Sequence, residues 1–128
     1  MGVNTEWDEV SSRENVEEVL DRAKSIVLSR LMHIRHTPKN RHFQERYNVT
    51  QADVRAIIST LRVEDYDKTS YKQGYPEAYV FGPFLEKHIP VYLKFSFKDT
   101  DEMLMIEVLS VHDLEREFAY PYRRRKKK

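Results

Sequence analysis

The chain has no cysteine, only 3 glycines and 5 prolines among its 128 residues, and no apolar run approaching the length of a membrane helix. Without thiols there can be no disulfide scaffold, no thiolate zinc site and no cysteine nucleophile. So little glycine and proline excludes a collagen-like repeat or a flexible low-complexity linker. A membrane span needs roughly 20 consecutive apolar residues, so no membrane partner is expected. The first ten residues are acidic and lack an apolar core, which gives no sign of a secretory leader. A reducing, cytoplasmic setting is the expectation.

What is present is enough to fold. Hydrophobic residues make up 40% of the chain and charged residues 34%, with 8 tyrosines and 6 phenylalanines, so one domain can bury a core of its own. That domain is expected over residues 1–122, followed by a basic tail at 123–128. The net charge of +1 hides a segregated distribution. Through Arg22 the acids Glu6, Asp8, Glu9, Glu14, Glu17, Glu18 and Asp21 face only Arg13 and Arg22. From Arg30 to Arg46 the sign reverses, with Arg35, Lys39 and Arg41 at its centre, and the chain closes on six consecutive cations, Arg123 to Lys128. A local basic strip of this kind suits phosphate contacts, whereas a terminal charge run on its own is equally a solvated tail.

Ser11 and Glu14 have capping-box spacing, and Val16, Val19, Leu20, Ala23, Ile26, Val27 and Leu31 recur at helical intervals, which predicts a helix from about 12 to 32. Thr37-Pro38 predicts a short second helix to Tyr47. Thr50 with Asp53, and Val49 with Val54, predict a third helix through Leu61. Turn formers from Asp65 to Glu77 read as a long loop carrying Tyr66, Tyr71 and Tyr75. Ala78–Phe81 is a short strand closed by Gly82-Pro83. Val91, Leu93, Phe95 and Phe97 alternate with Tyr92, Lys94, Ser96 and Lys98, the pattern of a half-buried strand. After a turn at Asp99–Glu102, the apolar run from Met103 to Val111 pairs back antiparallel. Helices first and sheet second make an α+β domain, with N-terminal helices on one face of a small, mainly antiparallel sheet.

No phosphate-binding loop, dinucleotide fingerprint, nucleophile elbow or zincin motif occurs. His33, His36 and His42 lack the spacing of a zinc site, so no metal and no cofactor is expected. Chemistry-bearing residues gather instead at Lys68, Tyr92, Lys94 and His112. Tyr92 and Lys94, two apart on a strand, leave the sheet on its wet face and offer a hydroxyl donor beside a cation. His112 follows the neighbouring strand, and histidine titrates near neutrality, at about 6.5. Lysine holds charge unless desolvation depresses it. The plainer reading of the same residues is an edge strand with a solubilised face and a histidine that ends its neighbour.

Four segments weigh on that choice. Asp65-Tyr66-Asp67-Lys68, Ala78-Tyr79-Val80-Phe81-Gly82, Pro90-Val91-Tyr92-Leu93-Lys94 and Leu109-Ser110-Val111-His112 stand in the order and spacing of the motility quorum-sensing regulator (MqsR) family of bacterial type II toxins, which Val63–Leu114 resembles. The resemblance implies a RelE-like fold and a metal-independent mRNA endoribonuclease restrained by a cognate antitoxin protein. It places the active-site lysine at Lys68 and the catalytic tyrosine at Tyr92. Val80 and His112 stand where the best-known member has glutamine and lysine. Cleavage would proceed by attack of a 2′-hydroxyl on the adjacent phosphate, with His112 or Tyr92 handling protons and Lys68 and Lys94 stabilising charge. Arg35, Lys39, Arg41, Arg123, Arg124 and Arg125 would steer RNA, and Tyr66, Tyr71 or Tyr79 would stack a base. The competing expectations are a non-enzymatic RNA- or DNA-binding module and a protein-interaction domain that docks a partner along its sheet edge. His112 can join Tyr92 only if the turn, or a bulge near Leu109, sets the strand register accordingly.

Overall fold

The computed structural model describes residues 5–86, 88–100 and 103–123. Its architecture is α+β, with three helices and a mixed, mostly antiparallel sheet. Helix α1 (Arg13–Leu28) opens at Ser12, whose hydroxyl accepts from the Asn15 amide at 3.1 Å. The expected Ser11 cap is therefore one residue out. Ser11 donates its amide to the Tyr66 hydroxyl at 2.9 Å, and its own hydroxyl meets that of Thr69 at 2.7 Å. The helix also stops short of residue 32, because Arg30 turns the chain with a φ of 60°. Helices α2 (Pro38–Arg46) and α3 (Gln51–Ser59) begin where their caps predict. The Thr37 hydroxyl accepts from Asn40, and Thr50 and Asp53 cap each other reciprocally.

The strands are β1 (Glu6–Glu9), β2 (Met32–Ile34), β3 (Tyr66–Lys72), β4 (Ala78–Phe81), β5 (Phe84–Leu85), β6 (Ile89–Asp99) and β7 (Leu104–Asp113). They lie in the order β1-β3-β4-β6-β7-β2, with β5 hydrogen-bonded to β6. Only the β2–β7 pair is parallel. Four of these strands, β1, β2, β3 and the two-residue β5, depart from the sequence reading. Residues 66–72, expected as loop, are a strand because β1 and β4 satisfy their backbone on both sides, which overrides the turn propensity of Asp67 and Ser70. β1 itself was not foreseen. β2 takes residues that continue the helical periodicity of α1 but alternate buried, exposed, buried. Of the expected Asp99–Glu102 turn, residues 101 and 102 lie outside the described chain; Thr100 and Met103 exchange backbone hydrogen bonds across it.

One sheet face forms the core. Tyr66, Tyr79, Phe81, Val91, Leu93, Phe95, Ile106, Val108 and Val111 pack with Val16, Leu20, Ala23 and Val27 of α1 and Val54 and Ile58 of α3. The other face carries Lys68, Tyr92, Lys94 and His112, and its register depends on a single irregularity. Phe95 pairs with Val108 but Lys94 with Ser110, so Leu109 is an extra residue in β7. Unbulged, the ladder would set Tyr92 opposite Val111 and turn His112 into the core. With the bulge, Tyr92 sits directly opposite His112. Asn40, 1% exposed, fixes this bulge from α2. Its Nδ2 donates to the carbonyls of Arg35 (3.0 Å) and Leu109 (3.2 Å), and its Oδ1 accepts from the Val111 amide (2.8 Å).

After β7 the chain returns across the sheet. Buried Asp67 accepts from the Arg116 guanidinium at 3.1 Å and the Ala119 amide at 2.8 Å, and the Tyr120 hydroxyl donates to the Gly82 carbonyl at 3.0 Å. The Tyr122 hydroxyl donates to the Ser11 carbonyl. Gly82 permits this close approach. A Cβ there would lie 2.5 Å from both the Phe118 ring and the Tyr120 oxygen. Gly82→Ala is accordingly expected to cost about 1–3 kcal/mol by overpacking, read as a lower urea midpoint. An unchanged midpoint would mean that the segment does not pack this tightly.

Candidate functional site

The wet face of the sheet holds a cavity of about 400 Å3 walled in part by Asp8, Arg35, Lys68, Ser70, Tyr75, Tyr92 and Lys94. Strand alternation brings these groups together. Lys68 and Lys94 flank Val80 on opposite sides of β4, and Asp8 of β1 lies opposite Ser70 of β3. Of the four residues singled out in the sequence, three line this cavity. The fourth, His112, stacks on Tyr92 with ring centroids 4.7 Å apart and planes 5° from parallel. Phe118 closes on Tyr92 edge-on at 5.6 Å. The tyrosine ring is thus clamped between two neighbours.

The titrating groups are held unevenly. Burial pushes the Tyr92 phenol above its ordinary value; the Arg116 charge opposes this, and the carboxylates of Asp8, Asp67 and Glu115 add to it. The Tyr92 phenol therefore keeps its proton at neutral pH. Burial pushes the Lys94 ammonium down. Asp8 and Glu6 partly offset that, whereas Lys68 and Arg35 reinforce it. Lys94 has no ion-pair partner among the described residues. Lys68 is held at 2.6 Å by Asp8, whose other oxygen accepts from the Ser70 hydroxyl at 2.8 Å. Burial raises Asp8, but the bonds from Lys68 and Ser70 and the charges of Lys68 and Lys94 outweigh it and hold the carboxyl low. His112 Nδ1 lies 2.9 Å from the Asp113 carbonyl, which can only accept, so Nδ1 is the donor in that bond.

The residues expected to meet RNA are scattered. Arg35 reaches the cavity and pairs with Glu107 at 3.2 Å. Lys39 pairs with Glu115 at 2.7 Å, on the side where Glu115 also approaches His112 at 3.6 Å. Arg41 is exposed on α2 beside His36, His42 and Glu45. Arg123 is tied to the fold, 3.6 Å over the Tyr120 ring and 3.9 Å from Asp65. Arg124 and Arg125 lie outside the described residues. Tyr79 is a correction. It faces the core, packs on Phe95 and Phe97 and donates to Glu77 at 2.9 Å, so it offers no ring to a base. Tyr66 is likewise fully buried. Tyr71, the third of these, does line the cavity, half-buried and stacked on Trp7 at 5.2 Å; the exposed aromatic at the rim is Tyr75, 62% exposed, with the Lys72 ammonium 4.9 Å from its ring centroid. The sequence marks it only as an aromatic between Gly74 and Pro76. Asp8 was also missed, hidden within a run of acids.

Comparison of the chain with protein-family models, curated proteins and solved structures returns no match. Among the described residues no helix is long and apolar enough to cross a membrane.

Proposed function

We propose that this protein is a metal-independent endoribonuclease of the MqsR kind, a RelE-like cytoplasmic toxin that cleaves mRNA and is restrained by an antitoxin protein. The observation that carries the reading is the meeting of Lys68, Tyr92 and Lys94 in one open cavity, with His112 stacked behind the tyrosine. An RNA phosphodiester brings its own nucleophile. A protein that cleaves it needs a base for the 2′-hydroxyl proton, an acid for the departing 5′-oxygen and fixed positive charge for the phosphorane.

Lys94, on the cavity wall, supplies the base, because burial shifts its ammonium toward the neutral amine and outweighs the Asp8 carboxylate that opposes it. It takes the 2′-hydroxyl proton as the 2′-oxygen bonds to phosphorus. The bond from phosphorus to the 5′-oxygen breaks, and Tyr92 delivers its proton to that oxygen. The products are a 2′,3′-cyclic phosphate and a free 5′-hydroxyl. Lys68 and Arg35 stabilise the phosphorane charge, an effect worth about 10²–10³ in rate per fixed donor. His112 acts as a positioning residue. The residue reading gave it proton transfer, but it lies behind the Tyr92 ring and not in the cavity wall. Tyr75 is the aromatic placed to stack a base.

The test is incubation of the purified protein with a defined RNA in EDTA, followed by end-group analysis. Cyclic-phosphate and 5′-hydroxyl ends are expected. An RNA that stays intact while bound in a salt-sensitive manner would leave only a nucleic-acid-binding module.

A further inference from the structure

Strand β1 is acidic, and it lies at the edge of the sheet against the cavity. All four of its residues are exposed, and among the described strands it is hydrogen-bonded to β3 alone. Its anchor is Ser11, just beyond its end. Ser11 is fixed by Tyr66, Thr69 and Tyr122, whereas residues 6–9 rest on a short ladder and the stacking of Trp7 on Tyr71 at 5.2 Å. An exposed Glu6–Lys72 ion pair at 3.4 Å, a long bond from the Tyr66 hydroxyl to the Glu9 carbonyl at 3.5 Å and the contacts of Asp8 add to these. From this strand Asp8 reaches the site. One carboxylate oxygen meets the Lys68 ammonium and the other the Ser70 hydroxyl, at 2.6 and 2.8 Å. An anion held through two oxygens by a cation and a hydroxyl is the geometry in which a phosphodiester presents its two non-bridging oxygens.

We infer that Lys68 and Ser70 form a phosphate subsite for a polynucleotide backbone, and that Asp8 occupies it as an internal competitor, so the acidic strand damps nucleic-acid binding until it is displaced. This deepens the nuclease reading and rests on it for the identity of the ligand. It does not rest on cleavage. The alternation of the strand supplies a control. Glu9 carries the same charge one residue away, opposite Thr69 on the other face of the ladder, and makes no contact with Lys68 or Ser70. A charge-assisted bond that a ligand no longer has to displace is worth about a factor of ten in affinity.

The experiment measures binding of a fully 2′-O-methylated RNA, which cannot be cleaved by attack of its own hydroxyl, to the wild-type chain, Asp8→Asn, Glu9→Gln and the double variant Asp8→Asn/Ser70→Ala. Asp8→Asn is expected to bind about tenfold more tightly than wild type, Glu9→Gln no more than about twofold, and the double variant to lose most of the gain. Equal tightening by Asp8→Asn and Glu9→Gln would reduce the effect to net charge and overturn the inference. Weaker or absent binding by Asp8→Asn would overturn it too, by making Asp8 a support for Lys68. If wild type cleaves RNA while Asp8→Asn fails this test, only the inference falls. If nothing cleaves but Asp8→Asn gains as stated, the subsite stands without the nuclease.

Discussion

Lys94→Met is expected to lower the rate of RNA cleavage by about 10²–10⁴ while making the protein more stable at neutral pH. The two effects share one cause. Lys94 stands half-buried beside Lys68 and Asp8, and burial disfavours its charged form by more than the Asp8 carboxylate restores, with Lys68 adding to the effect of burial. In the unfolded chain the same lysine keeps its proton up to about pH 10.4. Between the depressed folded value and the unfolded one, the unfolded state binds more protons, so stability rises with pH across that window. The penalty is fully present below the folded value and gone above the unfolded one. Methionine fills similar space without charge and removes the penalty, so its melting temperature should exceed that of wild type at pH 7 and converge with it at high pH.

Catalysis reads the same group with the opposite consequence. The cleavage rate should climb with pH as Lys94 loses its proton and fall again only above the usual tyrosine range, because burial raises the Tyr92 phenol. Lys94→Arg, which stays charged, should be as inactive as Lys94→Met and should not gain its stability. A Lys94→Met variant that is less stable than wild type at neutral pH, or that cleaves normally, would contradict the assignment.

Asn40→Ala should lose about 2–4 kcal/mol of stability and nearly all cleavage, although Asn40 is not in the cavity wall. It satisfies three backbone groups, and two of them flank the Leu109 bulge. Leaving buried backbone donors and acceptors unpaired costs about 1–3 kcal/mol each. The functional loss follows from register. Without the bulge, His112 exchanges faces with Val111 and Tyr92 loses the ring stacked against it. Denaturant unfolding with a cleavage assay checks both effects. A variant that unfolds earlier but cleaves at the wild-type rate while folded would show that the bulge is structural only.

Sequence legibility followed the range of the forces involved. The caps at Thr37 and Thr50 act within one helical turn, and the alternation around Tyr92 and Lys94 is set by the strand itself, so these elements and that wet face could be read locally. β3 could not be, because Thr69, Ser70 and Tyr71 gain their outer partners only from β1, about sixty residues earlier, and Tyr66 its partner from β4. With β3 misread as loop, Lys68 had no face, so its grouping with Tyr92 had no geometry behind it until β3 and β6 were seen to flank β4. The Leu109 bulge leaves one trace, the step from Ile106 and Val108 to Val111 among buried positions, two residues and then three. Tyr79 failed as a base platform for a different reason. Every residue of β4 is buried, so alternation there does not distinguish the two faces.

The most direct test of the central claim uses two otherwise identical RNAs, one with a single 2′-deoxy nucleotide at the mapped cleavage position, both incubated with the protein in EDTA. The account predicts that the unmodified RNA is cut to a 2′,3′-cyclic phosphate and a 5′-hydroxyl, and that the deoxy substitution alone abolishes the cut. Cleavage at the deoxy position, or products that carry a 5′-phosphate, would contradict it.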